Sequence, residues 1–323
     1  MKFRTEIEPF SLGTDIDYTS RMLALGSCFA ELIPARLTRA KFRIEANPTG
    51  VLFNPRSIAS TLGRLLRAEA VRREELRRSA DGLWFHYGFH GSFSRTEADE
   101  ALEAMNEAVR RGAEALRGAD TLLLTFGTAW VYDHGAETVA NCHRQPASEF
   151  VRRRLTVDEA VEPLARLLER ELADKRVIVS VSPVRHTGDG LAGNSLSKAT
   201  LRLAAEALAE RFPGRVRYFP TFEMVTDDLR DYRFYADDLV HTSPQAVAYI
   251  WEKFSAAALT PEAQALLPEV EAIAAAAAHR PRDPHSAAHR DFCRRMLERI
   301  AALPGVDFHA EAEYFRQCIE INS

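Results

Sequence analysis

Ser27 stands where a nucleophile would be useful. It follows the apolar run Met22-Leu-Ala-Leu-Gly26 and precedes a helical pattern from Phe29 to Leu37. Gly26 permits a tight turn, and the following helix aims backbone N–H groups and a positive dipole end at anything bound on Ser27. The plainer role for Ser27 is a helix cap. Far along the chain, Asp238-Leu-Val-His241 puts a carboxylate and an imidazole on one short loop just before a helix. A serine hydroxyl is a weak nucleophile until a histidine takes its proton, and a carboxylate fixes the imidazole's tautomer. Asp-x-x-His alone is equally explained by a hydrogen bond at a helix start. After the last strand of a chain whose first strand ends in Gly-Ser, it points to Ser27, His241 and Asp238 acting together. Cys28 is the internal rival. A thiolate is the better nucleophile and a helix N-terminus lowers a thiol's pKa, whereas a small buried hydrophobe is the plainer reading of that residue.

Those residues need elements to position them. Apolar runs at 22–27, 121–126, 176–181 and 216–219 read as strands. Helical patterns at 29–37, 58–66, 98–116, 157–172, 194–212 and 244–257 alternate with them. Asn54-Pro55 starts the second helix, and Asn194 or Ser195 is a plausible cap of the fifth. Three of the strands are continuously apolar, which a sheet covered on both faces requires. The alternation argues for a doubly wound parallel sheet, an α/β fold whose ligands sit beyond the carboxyl ends of the strands. Residues 1–257 read as this core, with an aromatic-rich hairpin or cap inserted near 74–94. Residues 258–323 read as a helical C-terminal extension.

Composition narrows the class. Of 323 residues, 46% are apolar and 27% charged, with a formal net charge of −4, so the chain supports a sizeable core and gives no sign of a nucleic-acid partner. The Arg-rich stretches Val71–Arg78 and Val151–Arg154 read as solvated helix faces. No apolar run is long enough to span a membrane, and the first residues lack a signal-peptide pattern, so no membrane partner is expected. Cys28, Cys142, Cys293 and Cys318 make no CxxC or Cys/His metal spacing. A reducing cytoplasm, no cofactor and no metal are therefore expected. His143 and His186 lie beyond predicted strands, where each serves equally well as a substrate contact or a structural histidine. Ser195-x-x-Lys198 reads as the start of an amphipathic helix. Trp84, Phe85, Tyr87 and Phe89 read as core or as one wall of a site.

Gly26-Ser-Cys-Phe-Ala30 resembles the signature of the GSCFA family, which is similar in layout to the SGNH (GDSL-like) hydrolases. The resemblance extends to Asn47–Pro55, Leu124–Trp130, Asn141–His143, Ser182–His186 and the Asp238–His241 loop. It implies a flavodoxin-like, SGNH-hydrolase-like three-layer α/β/α fold and an acyl-ester hydrolase site. It maps the nucleophile block to Gly26-Ser27, the closing block to Asp238 and His241, and the glycine block to Gly50, whose N–H would help hold an oxyanion. The fourth block normally supplies an asparagine, but here Gly127 is followed by Thr128-Ala129. Losing one oxyanion donor costs ~10²–10³ in turnover, so Thr128, Asn47, Asn141 and His143 are candidate replacements. The expectation is a serine hydrolase or acyltransferase acting on a small-molecule or glycan acyl ester, with an O-acetylated carbohydrate suggested by fold analogy. The alternatives are a non-catalytic glycan- or acyl-ligand-binding module on the same fold, and a scaffold built around the C-terminal helices.

Overall fold

The structure, a computed structural model, describes residues 4–320. The chain begins with β1 (Arg21–Gly26), a 3-10 turn (Cys28–Glu31), α1 (Leu32–Arg39), β2 (Arg43–Ala46) and α2 (Pro55–Leu66). The short strands β3 (Arg77–Arg78) and β4 (Trp84–Phe85) follow, then α3 (Ala98–Gly118) and β5 (Thr121–Phe126). Next come β6 (Trp130–His134), β7 (Glu137–Thr138), β8 (Val151–Arg154), α4 (Val157–Glu169), β9 (Arg176–Val181) and α5 (Gly190–Arg211). The remainder is β10 (Val216–Phe219), a short α6 (Thr221–Glu223) running into a π turn (Met224–Leu229), and four helices. These are α7 (Pro244–Ala258), α8 (Pro261–Ala278), α9 (Ala287–Ala301) and α10 (His309–Glu320).

Five strands form one parallel sheet in the order β10-β9-β5-β1-β2. Counted within that sheet the order is 2-1-3-4-5, the flavodoxin-like arrangement. Its two faces are read directly from strand alternation. Met22 and Ala24 of β1, Leu123 of β5, Ile178 of β9 and Phe219 of β10 join the core beneath α1, α7 and the C-terminal helices. Leu23, Leu25, Leu122, Leu124, Val177 and Val179 join the opposite core beneath α2, α4 and α5. β1, β5, β9 and β10 therefore bury both faces, and the fold is a three-layer α/β/α sandwich. Val270, Ile273, Cys293, Met296 and Phe315 of the last three helices share the first of these cores. Asn54 caps α2 by accepting from Ser57 N–H at 2.8 Å, with Pro55 at the first helical position.

Several readings of the sequence are corrected. β2 escaped notice because Arg43-Ile-Glu-Ala46 is short and only half-buried at the sheet edge. Val151–Arg154 is a strand, not a helix face. It pairs antiparallel with β6, and its arginines find partners across that sheet, Arg153 on Asp133 at 2.6 Å and Arg152 over the Trp130 ring. Val71–Arg78 likewise is a 3-10 turn and an edge strand. The 74–94 insertion contains a hairpin, and Phe85 and Phe89 are fully buried, as the core reading of those aromatics expected. α5 starts at Gly190, four residues ahead of the expected cap, and Asn194, inside the helix, accepts from His186 N–H at 3.0 Å.

The end of β1 leaves no room for a side chain against β5. A Cβ on Gly26 would sit 2.3 Å from the Thr125 carbonyl oxygen, and neither backbone can retreat without breaking the ladder. Gly26→Ala should therefore destabilise the protein by more than about 2 kcal/mol, whereas Gly305→Ala, with open space around it, should stay within about 0.5 kcal/mol. Urea denaturation of both variants against wild type checks this.

Candidate active site

Ser27 and Cys28 leave β1 at the carboxyl edge of the sheet and point in different directions. Ser27 is buried, and its Oγ has no hydrogen-bond partner among the described residues. It does not cap the following turn. Cys28 is half-buried, and its Sγ lies 3.9 Å from His241 Nε2. The other imidazole nitrogen, Nδ1, is 2.6 Å from Asp238 Oδ2. The structure thus places a thiol, an imidazole and a carboxylate in succession, while Ser27 Oγ, expected in the first place, makes no hydrogen bond to His241 among the described residues.

The loop that carries the last two groups is built to hold them. Asp238 Oδ1 accepts from the N–H groups of Val240 and His241, both at 2.9 Å, which leaves Oδ2 for the imidazole. Ala236 N–H donates to the His241 carbonyl at 2.7 Å, and Ser243 caps α7 immediately afterwards. The His241 side-chain bond, then the two N–H bonds, hold the Asp238 carboxyl down to about 2. Asp238 is thus ionised across the physiological range and fixes Nδ1–H as the donor, leaving the Nε2 lone pair toward Cys28. Burial pushes the Cys28 thiol up, opposed by the Phe29 and Cys28 N–H groups and by Lys198. Cys28 Sγ thus lies beside an imidazole whose other nitrogen is held by the Asp238 carboxylate, the arrangement in which a histidine serves a nucleophile as base.

Lys198 went unrecognised in the sequence, where Ser195-x-x-Lys198 looked like a helix start. It lies well inside α5, is 2% exposed, and donates Nζ–H to the carbonyls of Gly127 at 2.6 Å and Ser182 at 2.7 Å. Those carbonyls follow β5 and β9, so the ammonium sits between two strand ends under the site. Burial pulls it down to about 7, with the Cys28 sulfur acting the other way. Beside it, burial first and the Lys198 charge second pull His186 down to about 4. The His186 ring bonds the Gly127 carbonyl, and its buried Nε2 has no partner among the described residues. His186 is thus a neutral base next to the cluster.

The expected oxyanion donors are engaged elsewhere. Gly50 N–H donates to the Asn47 carbonyl at 2.7 Å, and Gly127 and Thr128 N–H both donate to the Phe53 carbonyl. Gly50 is required as a glycine for another reason, since a Cβ there would meet His90 Cβ at 2.2 Å. Asn47 accepts from Gly26 N–H at 2.9 Å and so pins the β1 turn. Thr128 Oγ1 is bonded to Ser197. Asn141 accepts from His143 N–H, and His143 Nε2 reaches the carbonyls of His86 and Phe89 while its ring stacks on Phe85. Asn47, Thr128 and His143 thus each hold hydrogen bonds within the chain. A Cys/His cluster was also missed: His289, Cys293 and Cys318 meet between α9 and α10. The four-residue step from His289 to Cys293 was the available signal.

Fold and site define a flavodoxin-like α/β/α protein with a Cys-His-Asp cluster at the carboxyl edge of its sheet. Residues 21–254 match the GSCFA family, and residues 270–321 match the GSCFA domain protein, C-terminal domain. The chain belongs to the GSCFA family. No curated protein matches it. It is similar to a solved chain described as "a putative platelet activating factor from Streptococcus pneumonia", at 13% identity over 73% of this chain and 82% of that one, with a TM-score of 0.36. No described helix is long and apolar enough to cross a membrane.

The buried lysine generates a signed prediction. Unfolded, Lys198 holds its proton up to its ordinary 10.5; folded, only to about 7. Between those values the unfolded chain binds more protons, so this residue makes stability rise with pH. Lys198→Met removes that linkage and takes one donor from each of the Gly127 and Ser182 carbonyls at every pH. Urea unfolding at several pH values between about 7 and 9.5 should show wild type gaining on the variant by on the order of 1 kcal/mol per pH unit.

Proposed function

We propose that this protein is an acyl-transfer enzyme, a hydrolase or acyltransferase acting on a small-molecule or glycan acyl ester, with Cys28 as its nucleophile. The observation that carries the reading is the line from Cys28 Sγ through His241 to Asp238, at 3.9 Å and 2.6 Å. Cys28 Sγ attacks the acyl carbonyl carbon as its proton passes to His241 Nε2. Asp238 steadies the imidazolium. The Cys28 and Phe29 N–H groups, which already lie against the sulfur, meet the developing oxyanion. Collapse of the tetrahedral intermediate breaks the ester C–O bond, and His241 returns the proton to the departing alcohol. The acyl group is left as a thioester on Cys28. Water or a second alcohol, deprotonated by His241, then releases it and restores the thiol. Such a nucleophile suits a reducing compartment such as the cytoplasm. An O-acetylated carbohydrate remains the substrate class suggested by fold analogy alone.

A non-catalytic binding module on the same fold is the second reading. Its support is that the Gly50, Gly127 and Thr128 N–H groups are bonded within the chain.

Intact mass after brief exposure to an activated acetyl ester and acid quench tests the first reading. The expected result is one acetyl adduct that maps to Cys28, vanishes in Cys28→Ala, falls by at least about 10²-fold in formation rate in His241→Ala, and persists in Ser27→Ala. An adduct on Ser27 would return the nucleophile to the serine. Saturable glycan binding that survives Cys28→Ala, with no adduct from any ester, would favour the binding module.

A further inference from the structure

We propose that His289 Nε2, Cys293 Sγ and Cys318 Sγ form a zinc site that ties α9 to α10, far along the chain from the catalytic cluster. The three ligand atoms lie within 4.8 Å of one another. His289 and Cys293 are four residues apart on α9, which places both on one face of the helix, and Cys318 comes across from α10. The Cys293 Sγ to His289 Nε2 distance is 3.6 Å. With Zn–S of about 2.3 Å and Zn–N of about 2.0–2.1 Å, a tetrahedral ion separates such a pair by about 3.5 Å and two sulfurs by about 3.8 Å. The His289–Cys293 pair is therefore at the required spacing before any ion enters, with Cys318 Sγ within 4.8 Å of both. None of the cysteines is in a disulfide among the described residues.

The chemistry favours a soft, borderline divalent ion. Two thiolates and one imidazole are a ligand set for zinc rather than for magnesium or calcium, which take oxygen. Binding releases one proton from each thiol, and the two thiolates then neutralise the dication. Neutrality matters because Cys293 is fully buried and its two partners are half-buried, so a net charge would be costly there. The Tyr314 hydroxyl hydrogen-bonds to Cys318 and can steady that sulfur from outside the ligand shell. Three protein ligands leave the fourth position to water. The site lies in a small helical layer whose contact with the rest of the first core rests on Val270, Ile273, Met296 and Phe315. A metal bond between α9 and α10 would fix the angle at which those residues are presented.

The test uses the full chain, reduced and stripped with a chelator, then titrated with Co²⁺ and with Zn²⁺ against a chromophoric chelator. One cobalt per chain with thiolate-to-metal charge-transfer absorption is expected, displaced by one zinc, with a zinc-dependent rise in melting temperature. Cys318→Ala and, independently, His289→Ala should lose tight zinc in the chelator competition. Cys318 lies in the last helix and is only partly buried, so that variant retains a folded core against which the loss can be read. Folded wild-type protein with no charge-transfer band would overturn the proposal. So would an intact mass two hydrogens light with a Cys293–Cys318 peptide in the protein as purified, before reduction, which would make the pair a disulfide instead.

Discussion

At the end of β1 the backbone has no room to spare, and the site inherits its geometry from that crowding. The Thr125 carbonyl of the neighbouring strand stands where a Gly26 side chain would begin, and a Cβ on Gly127 would meet Ser27 Cβ at 2.9 Å. Gly26 is held from both sides, its N–H by the Asn47 side chain and its carbonyl by Leu52 N–H. A turn so fixed can send only one of the next two side chains toward solvent. Ser27 goes inward, against Gly127, and Cys28 goes outward, toward His241.

The second half of the site is set by polarity rather than by packing. Asp238 and His241 are about half exposed, on a loop whose own N–H groups orient the carboxylate. Opposite them lies a buried interior holding the neutral His186 ring and the Lys198 ammonium, which is bonded to the carbonyls of Gly127 and Ser182 and, among the described residues, to no carboxylate. A cation in that position favours negative charge on the sulfur above it, while burial of the sulfur opposes ionisation. Catalysis by such an arrangement would draw on the imidazole for the proton and on the lysine for the field.

Much of the fold was legible because its signals are local. Continuous apolar strands, alternating helices and the Asn54-Pro55 cap each report one element, and together they specify the parallel sheet. β2 and the β6–β8 sheet were missed because their strands are short and half-exposed, with arginines whose partners come from distant residues. Asp238 and His241 were legible as a three-residue step on one loop. The choice between Ser27 and Cys28 was not, since neighbours in a turn differ in direction and not in position. Lys198 was obscured for a related reason: helical periodicity says which side chains share a face, and not that one face lies under two strand ends. The His289, Cys293 and Cys318 cluster depends on the packing of two helices and has no compact motif.

Cys28, rather than Ser27, is the group proposed to be activated by His241. Iodoacetamide alkylation under reducing conditions, followed by peptide mass mapping over a pH series, measures that relation directly. The account predicts that Cys28 alkylates faster than the similarly half-buried Cys142, and that His241→Ala slows Cys28 while leaving Cys142 unchanged. Equal Cys28 rates in wild type and His241→Ala across the pH series would contradict it.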